Sequence, residues 1–364
     1  MKKKILIALV LLVLGTLIYF QFKTWKKFDW HSFREQTEDV NIGLILLGTA
    51  IIYFDYYLRA LRWKILLRPV HQTKASRLVA PTMIGFTATG LLGRPGEFIR
   101  PFLIARKEGL AMSSQLAVWT VERLCDMGAF ALIMAVNILI FRDYLKDLPG
   151  FQEHPSAFNV FKLSAFGLLV GVIVAAIFAL LMRRNPVAGA RTVESFFGRV
   201  SERLGQAAAR RVQAFGEGLN TIHDAGSFVQ IFVISVALWL TIGASYYCVT
   251  HAYADIGPDM TLSSVFLLTG ASVAGGILQL PGVGGGSQLA TIGTLVGVFG
   301  YGELEHGKEL AISCGIMLWL VTFMSIIPAG LVLAQLEHVS FIKAEKESLE
   351  EEEKVLRSAD RVIR

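Results

Sequence analysis

Residues 78–101 read LVAPTMIGFTATGLLGRPGEFIRP. The run Leu78 to Leu92 is largely apolar, and Gly93-Arg94-Pro95-Gly96-Glu97-Phe98-Ile99-Arg100-Pro101 then breaks it with glycine, proline and charge. A membrane-crossing helix needs about 20 apolar residues, and proline and glycine end one. The run is short for a span, and both flanks, 59–77 and Arg106-Lys107, are basic. Segment 78–105 therefore reads as a re-entrant hairpin that enters and leaves on one side. A second segment has the same form. Residues 276–290 read GILQLPGVGGGSQLA: an apolar run ends at Leu280, Pro281–Gln288 breaks it, and another continues to Phe299. Its flanks, 250–261 and 301–309, are acidic. Segment 262–300 is a second hairpin or a pair of short full spans, since two crossings preserve the side.

Around these breaks lie six long apolar stretches: 5–20, 42–58, 113–141, 158–182, 227–249 and 310–336. The first follows Lys2-Lys3-Lys4 and precedes Lys23 without a small-residue cleavage pattern, so it reads as a retained anchor and not a signal peptide. After the second come Arg59, Arg62, Lys64, Arg68, Lys74 and Arg77 with no acid before residue 78. By the positive-inside rule this loop faces the cytoplasm, and so do both termini, in an inner (cytoplasmic) membrane. Segment 183–226 carries seven arginines and four acids, with apolar residues at helical spacing from Val193 to Ile222. It reads as a cytoplasmic amphipathic helix. The tail 337–364 is charged and solvated.

The two halves have one order, span–span–hairpin–span: residues 1–157 with hairpin 78–105, and residues 158–336 with hairpin 262–300. Three full spans in each half insert the second upside down relative to the first. The expected fold is an all-α polytopic membrane protein of two inverted-topology repeats, a pattern of secondary transporters whose sites lie where the broken segments meet.

Composition agrees. The 364 residues are 54% hydrophobic and 18% charged, against roughly 45–50% and about 25% in soluble domains. This excludes disorder, a disulfide scaffold and a collagen-like chain, and disfavours an ordinary soluble enzyme. The net charge of +6 lies beside apolar spans, which favours topology over nucleic-acid binding. Cys125, Cys248 and Cys314 are far apart in apolar stretches, and the seven histidines form no HxxxH pair. No metal site or cofactor is expected.

A charge at the bilayer centre costs about 2.5–3.5 kcal/mol on insertion scales, so intramembrane charges need an explanation. Arg94, Glu97 and Arg100 follow the first break. Arg94 and Glu97 are spaced to pair, Glu97 reaches Arg100, and the arginines suit phosphate oxygens. Glu122, Arg123 and Asp126 lie about ten residues, or roughly 15 Å, into their span, with the two acids one turn apart. They either lock the hairpin to the helix or line a path. Asp55, Arg59 and Arg62 precede Trp63; snorkelling explains the arginines, and headgroup contact is the other reading. The glycines of 282–286 lack a phosphate-loop ending and suit a tight turn or close approach of helices. Gln279, Ser287 and Gln288 are uncharged polar groups placed to contact a substrate.

Together, Arg62-Trp63, Gly93-Arg94-Pro95-Gly96-Glu97-x-x-Arg100, Glu122-Arg123-x-x-Asp126 and Pro281-Gly282-x-Gly284 resemble the lysylphosphatidylglycerol synthase transmembrane-region family. The resemblance spans about 5–336 and implies movement of a lipid or lipid-linked headgroup between leaflets. Bifunctional members carry a soluble aminoacyl-transferase domain after this region. The chain stops at Arg364, so aminoacylation is not expected. The family's second motif commonly carries an acid seven residues after the proline. Here that residue is Gln288, which points to a different substrate or to no proton coupling.

The reading is a lipid flippase, not an enzyme, for an anionic or phosphate-bearing lipid, with homo-oligomerisation open. Arg94, Glu97 and Arg100 hold the headgroup, Glu122, Arg123 and Asp126 support the hairpin, and 281–288 forms the opposing wall. A membrane-embedded lipid-modifying enzyme and a scaffold for cell-envelope assembly are the alternatives.

Overall fold

A computed structural model describes residues 30–184, 191, 194–195, 198, 225–276, 285–341 and 344–351. The expected anchor 5–20, nearly all of segment 183–226 and residues 277–284 lie outside the described residues. Every regular element among those described is helical. In chain order they are α1 (Trp30–Glu38), α2 (Ile42–Leu67), α3 (Ala75–Leu92), α4 (Ile99–Glu108), α5 (Met112–Ile140), α6 (Pro155–Arg184), α7 (Ala225–His251), α8 (Leu262–Gly275), α9 (Gly286–Gly297) and α10 (Gly307–Leu336). A 3-10 turn, Arg94–Phe98, joins α3 to α4, and two short helices, Arg142–Lys146 and Pro149–Glu153, join α5 to α6.

Five of these helices are long and apolar enough to cross a membrane: α2, α5, the Pro155–Val174 stretch of α6, α7 and α10. Large apolar side chains stand exposed along them, including Leu46, Phe54, Leu139, Leu163, Val233 and Val332. Lipid covers such surfaces at no cost. The sequence reading ends the second span at Leu58, whereas α2 continues to Leu67 and carries Arg59 and Arg62 inside the protein. Hydropathy stops at the first arginine; the helix does not, because Asp55 on α2 itself satisfies Arg59, and Glu122 and Asp126 on α5 satisfy Arg62.

The first broken segment is a hairpin. Gly93 takes φ +74°, which an L side chain rarely adopts, and its N–H closes α3 on the Thr89 carbonyl at 2.9 Å. Pro95 then starts the 3-10 turn, and α4 returns against α3. At 1.5 Å per residue, ten-residue α4 rises about 15 Å, half the hydrocarbon thickness. The two arms touch where they have no side chain. A Cβ on Gly85 would meet the backbone and Cβ of Arg100, and one on Gly96 would meet the Ala88 carbonyl. The second broken segment is also folded back. α8 and α9 cross at Gly275, where a Cβ would meet the Gly286 carbonyl, and the Ser272 and Ser287 hydroxyls bond at 2.6 Å.

α2 and α7 form the central pair. The Ser245 hydroxyl donates to the Gly48 carbonyl at 3.0 Å, and the Asn41 N–H donates to the Ala252 carbonyl at 2.9 Å. The first hairpin packs on the end of α10, with Gly330 against Thr87. α10 contains a π turn at Leu320–Met324, closed by the Ser325 N–H on the Leu320 carbonyl at 2.8 Å. Tyr53 of α2 donates to the Ser325 carbonyl at 2.7 Å beside it. A π turn loosens the helical ladder, and here it opens a carbonyl to a neighbour.

Glycines at these crossings are therefore expected to be intolerant. Gly85→Val should cost about 1–3 kcal/mol by overpacking, read as a lower thermal midpoint in detergent. Gly167→Ala, where a Cβ meets nothing within 4 Å, should not lower it.

Candidate functional site

The site is assembled from polar residues that interrupt apolar helices. Asp55, Arg59 and Arg62 fall on successive turns of α2, and Glu122 and Asp126 lie one turn apart on α5. Arg62 is fully buried. Its Nη1 donates to Asp126 Oδ1 and, at 2.7 Å, to the Ser235 hydroxyl of α7. Its Nη2 donates to Glu122 Oε1 and, at 3.1 Å, to Asp126 Oδ2. Arg100, from the second arm of the first hairpin, grips Glu122 with both terminal nitrogens at 3.1 and 2.6 Å. A planar fork meeting a carboxylate this way is the strong, orientation-specific form of the ion pair.

Aromatic faces complete the enclosure. The Arg100 guanidinium lies 4.5 Å from the Trp63 ring centre and 5.0 Å from that of Phe86. Arg59 lies 4.9 Å from the Phe86 ring. Trp63 is fixed by Nε1 donating to Gln115 Oε1 at 2.9 Å, and Trp239 Nε1 donates to the Asp126 carbonyl at 2.9 Å. Asp55 accepts from Arg59 Nε at 2.6 Å and from the Thr241 hydroxyl at 3.1 Å.

The charges do not cancel. Arg62 and Arg100 balance Glu122 and Asp126, and Arg59 balances Asp55. Arg123 is left over. It reaches Asp126 at 3.2 Å and Glu122 at 3.6 Å, but both acids already serve other arginines. Its side chain is 37% exposed, unlike the rest of the cluster, and its Nε makes no hydrogen bond among the described residues.

Arg123, Arg59, Asp55 and Asp126 line one part of a cavity of about 910 Å³. Its remaining walls come from α2, the first hairpin, α5, α6, α7, both arms of the second hairpin and the π turn of α10. They are mainly apolar and aromatic, with Phe130, Phe161, Trp239 and Trp319 among them, and include the hydroxyls of Thr269, Ser272 and Ser287. A cavity of this size with a few convergent polar groups is the usual form of a ligand site.

The family model for the lysylphosphatidylglycerol synthase TM region matches residues 5–333. The chain belongs to this family. Comparison with curated proteins and with solved structures gives no match. Within this lysylphosphatidylglycerol synthase TM-region protein, the structure brings together Arg59, Arg62, Arg100, Glu122, Arg123 and Asp126. The local pairing of Glu97 with Arg100 is corrected: Glu97 is half-buried on the 3-10 turn, and Arg100 turns both terminal nitrogens to Glu122. Arg94 is exposed on that turn. Arg62 is enclosed by protein. Ser287 lines the cavity, and Gln288, beside it, is buried. Gln279, Pro281, Gly282 and Gly284 lie outside the described residues.

Sequence reasoning missed Gln115, Ser235, Trp239 and Thr241 as partners of the cluster. The signal available was weak: Ser235 and Thr241 are isolated hydroxyls in the apolar run of α7.

Glu122→Gln keeps the shape and withdraws the charge shared by two buried arginines. It should cost about 3–5 kcal/mol, measured as a fall in the unfolding midpoint of the detergent-purified protein. An unchanged midpoint would contradict the shared ion pair.

Proposed function

We propose that this protein translocates an anionic, phosphate-bearing lipid between membrane leaflets and performs no covalent chemistry on it. One observation carries the reading: Arg123, the most exposed member of a cluster that sets four guanidiniums against three carboxylates, stands in the wall of an otherwise mainly apolar cavity inside the membrane protein. A charge held in such surroundings is costly unless an anion completes it. A phosphate oxygen accepts from guanidinium N–H groups, and the aromatic and aliphatic walls suit acyl chains.

The architecture supports movement over storage. Each half of the described chain contains the order span–hairpin–span, α2–(α3, α4)–α5 and, after the span of α6, α7–(α8, α9)–α10. We read these as inverted repeats with both termini in the cytoplasm, the organisation in which one half rocks against the other around a midplane site. The cavity draws walls from both hairpins. Membership of the family adds the lipid context.

The test is reconstitution in liposomes with fluorescent phosphatidylglycerol or phosphatidylcholine, followed by quenching from one side. Wild type should move the phosphatidylglycerol analogue. Arg123→Gln removes charge-assisted bonds of about 1.5–3 kcal/mol and should slow it about 10- to 100-fold. Equal rates for wild type and variant, or for the two lipids, would overturn the reading.

A further inference from the structure

The cluster counts charge, and the count specifies the headgroup. Four guanidiniums, of Arg59, Arg62, Arg100 and Arg123, face three carboxylates, of Asp55, Glu122 and Asp126. These are all the Lys, Arg, Asp and Glu side chains in the cluster among the described residues, and the four of them that line the cavity are Asp55, Arg59, Arg123 and Asp126. The other titratable neighbours, Tyr56, Cys125 and Tyr246, are neutral in their ordinary protonation states. The α7, second-hairpin and α10 walls add hydroxyls, apolar groups and rings but no charge. The surplus is one positive charge.

From this count, and resting on the lipid-binding reading above, we infer that the cavity selects a headgroup of net charge minus one: a phosphodiester lipid, with Arg123 as the residue that sets the charge. A zwitterionic headgroup brings a second, positive group, and every carboxylate of the cluster is already bonded to an arginine, so none is left to receive it. A doubly charged phosphomonoester overfills the site. Its second negative charge has no cation, because Arg62 and Arg100 are committed to Glu122 and Asp126, and Arg59 to Asp55. An unpaired charge in such surroundings is strongly disfavoured.

Asp55 makes the count adjustable. It is 3% exposed and lines the cavity, and its one ion pair uses Arg59 Nε alone. Arg59 Nη1 and Nη2 make no hydrogen bond among the described residues. Replacing Asp55 by Asn preserves its shape, removes one negative charge and raises the surplus to two. The variant should then accept the doubly charged headgroup that wild type rejects.

The experiment is calorimetric titration of the purified full-length protein with short-chain phosphatidylglycerol, phosphatidylcholine and phosphatidic acid. Phosphatidic acid is a useful probe because a phosphomonoester loses its second proton near a pKa of about 6, whereas a phosphodiester keeps a single charge. At about pH 5, wild type should bind phosphatidic acid and phosphatidylglycerol alike. At about pH 8 phosphatidic acid should weaken by at least about tenfold, with phosphatidylglycerol unchanged. Asp55→Asn should raise the ratio of phosphatidic acid to phosphatidylglycerol affinity at the higher pH by a similar factor. Preference for phosphatidylglycerol over phosphatidylcholine, with phosphatidic acid bound equally at both pH values, would overturn the charge count and leave the anionic-lipid reading standing. Equal binding of phosphatidylglycerol and phosphatidylcholine would overturn both. The wild-type pH comparison needs no variant, so it decides the matter even where Asp55→Asn does not fold.

Discussion

The Arg62 guanidinium is the constraint around which the protein is arranged. It is fully buried, and it bonds to α5 through Glu122 and Asp126 and to α7 through Ser235. Glu122 passes the connection on to Arg100, and so to the returning arm of the first hairpin. One charged network thus fixes α2, α4, α5 and α7 against one another. Removing water from a charge costs several kcal/mol, and attraction in a low dielectric repays it only when the geometry is good and the remaining lone pairs are used. Here Glu122 and Asp126 are each shared between arginines, and the Trp63 and Phe86 faces cover Arg100. The network has little freedom to rearrange piecemeal, because withdrawing any member strands another charge in a dry site. That interdependence keeps the leftover positive charge on Arg123, its most accessible member.

Among the described residues the spans follow the complementary rule, that a polar group in a lipid-facing helix needs a partner inside the protein. Hydroxyls inside the spans bond back to carbonyls one turn earlier: Thr49 to Ile45 at 2.9 Å, Thr120 to Leu116 at 2.8 Å and Thr322 to Leu318 at 2.7 Å. The hairpins need more, since a chain that turns inside a membrane protein exposes helix ends. Their arms therefore cross at glycine, backbone against backbone, at Gly85 and Arg100, Gly96 and Ala88, and Gly275 and Gly286. Packing replaces the hydrophobic drive that lipid does not supply, and it places Arg100 within reach of Glu122.

The helical class, five of the apolar spans and the first broken hairpin are legible in sequence because each is a local property: length of an apolar run, or glycine and proline at its end. The acids on α5 are legible too, because a carboxylate that deep in an apolar stretch demands a partner. Which partner is not legible. Spacing offered Arg100 a neighbour at Glu97, one turn away, and the fold gave it Glu122, 22 residues on. The same limit hides Ser235, Thr241 and Gln115, each an ordinary polar residue until a distant helix presents it with an arginine, a carboxylate or an indole. Hydropathy misplaced the end of α2 for a related reason. It scores Arg59 and Arg62 as solvated, and their solvation is supplied by other parts of the protein.

The two halves contribute unequally to the site. All seven charges of the cluster lie between Asp55 and Asp126 in the first half, while the second half lends Ser235, Trp239, Thr241 and Ser287. An acid seven residues after Pro281, which the resemblance implies for the family, would sit at position 288, next to the cavity-lining Ser287 in the first turn of α9. Buried there, a carboxylate would add a negative charge from the second half and bring the sum with Arg123 to zero. A site of zero net charge has no reason to prefer an anion, and its extra carboxylate would suit a headgroup bearing an amine. Gln288 has the length and hydrogen-bonding capacity of that acid without its charge. Gln288 therefore leaves the positive surplus of the first-half cluster unopposed by any charge from the described part of the second half.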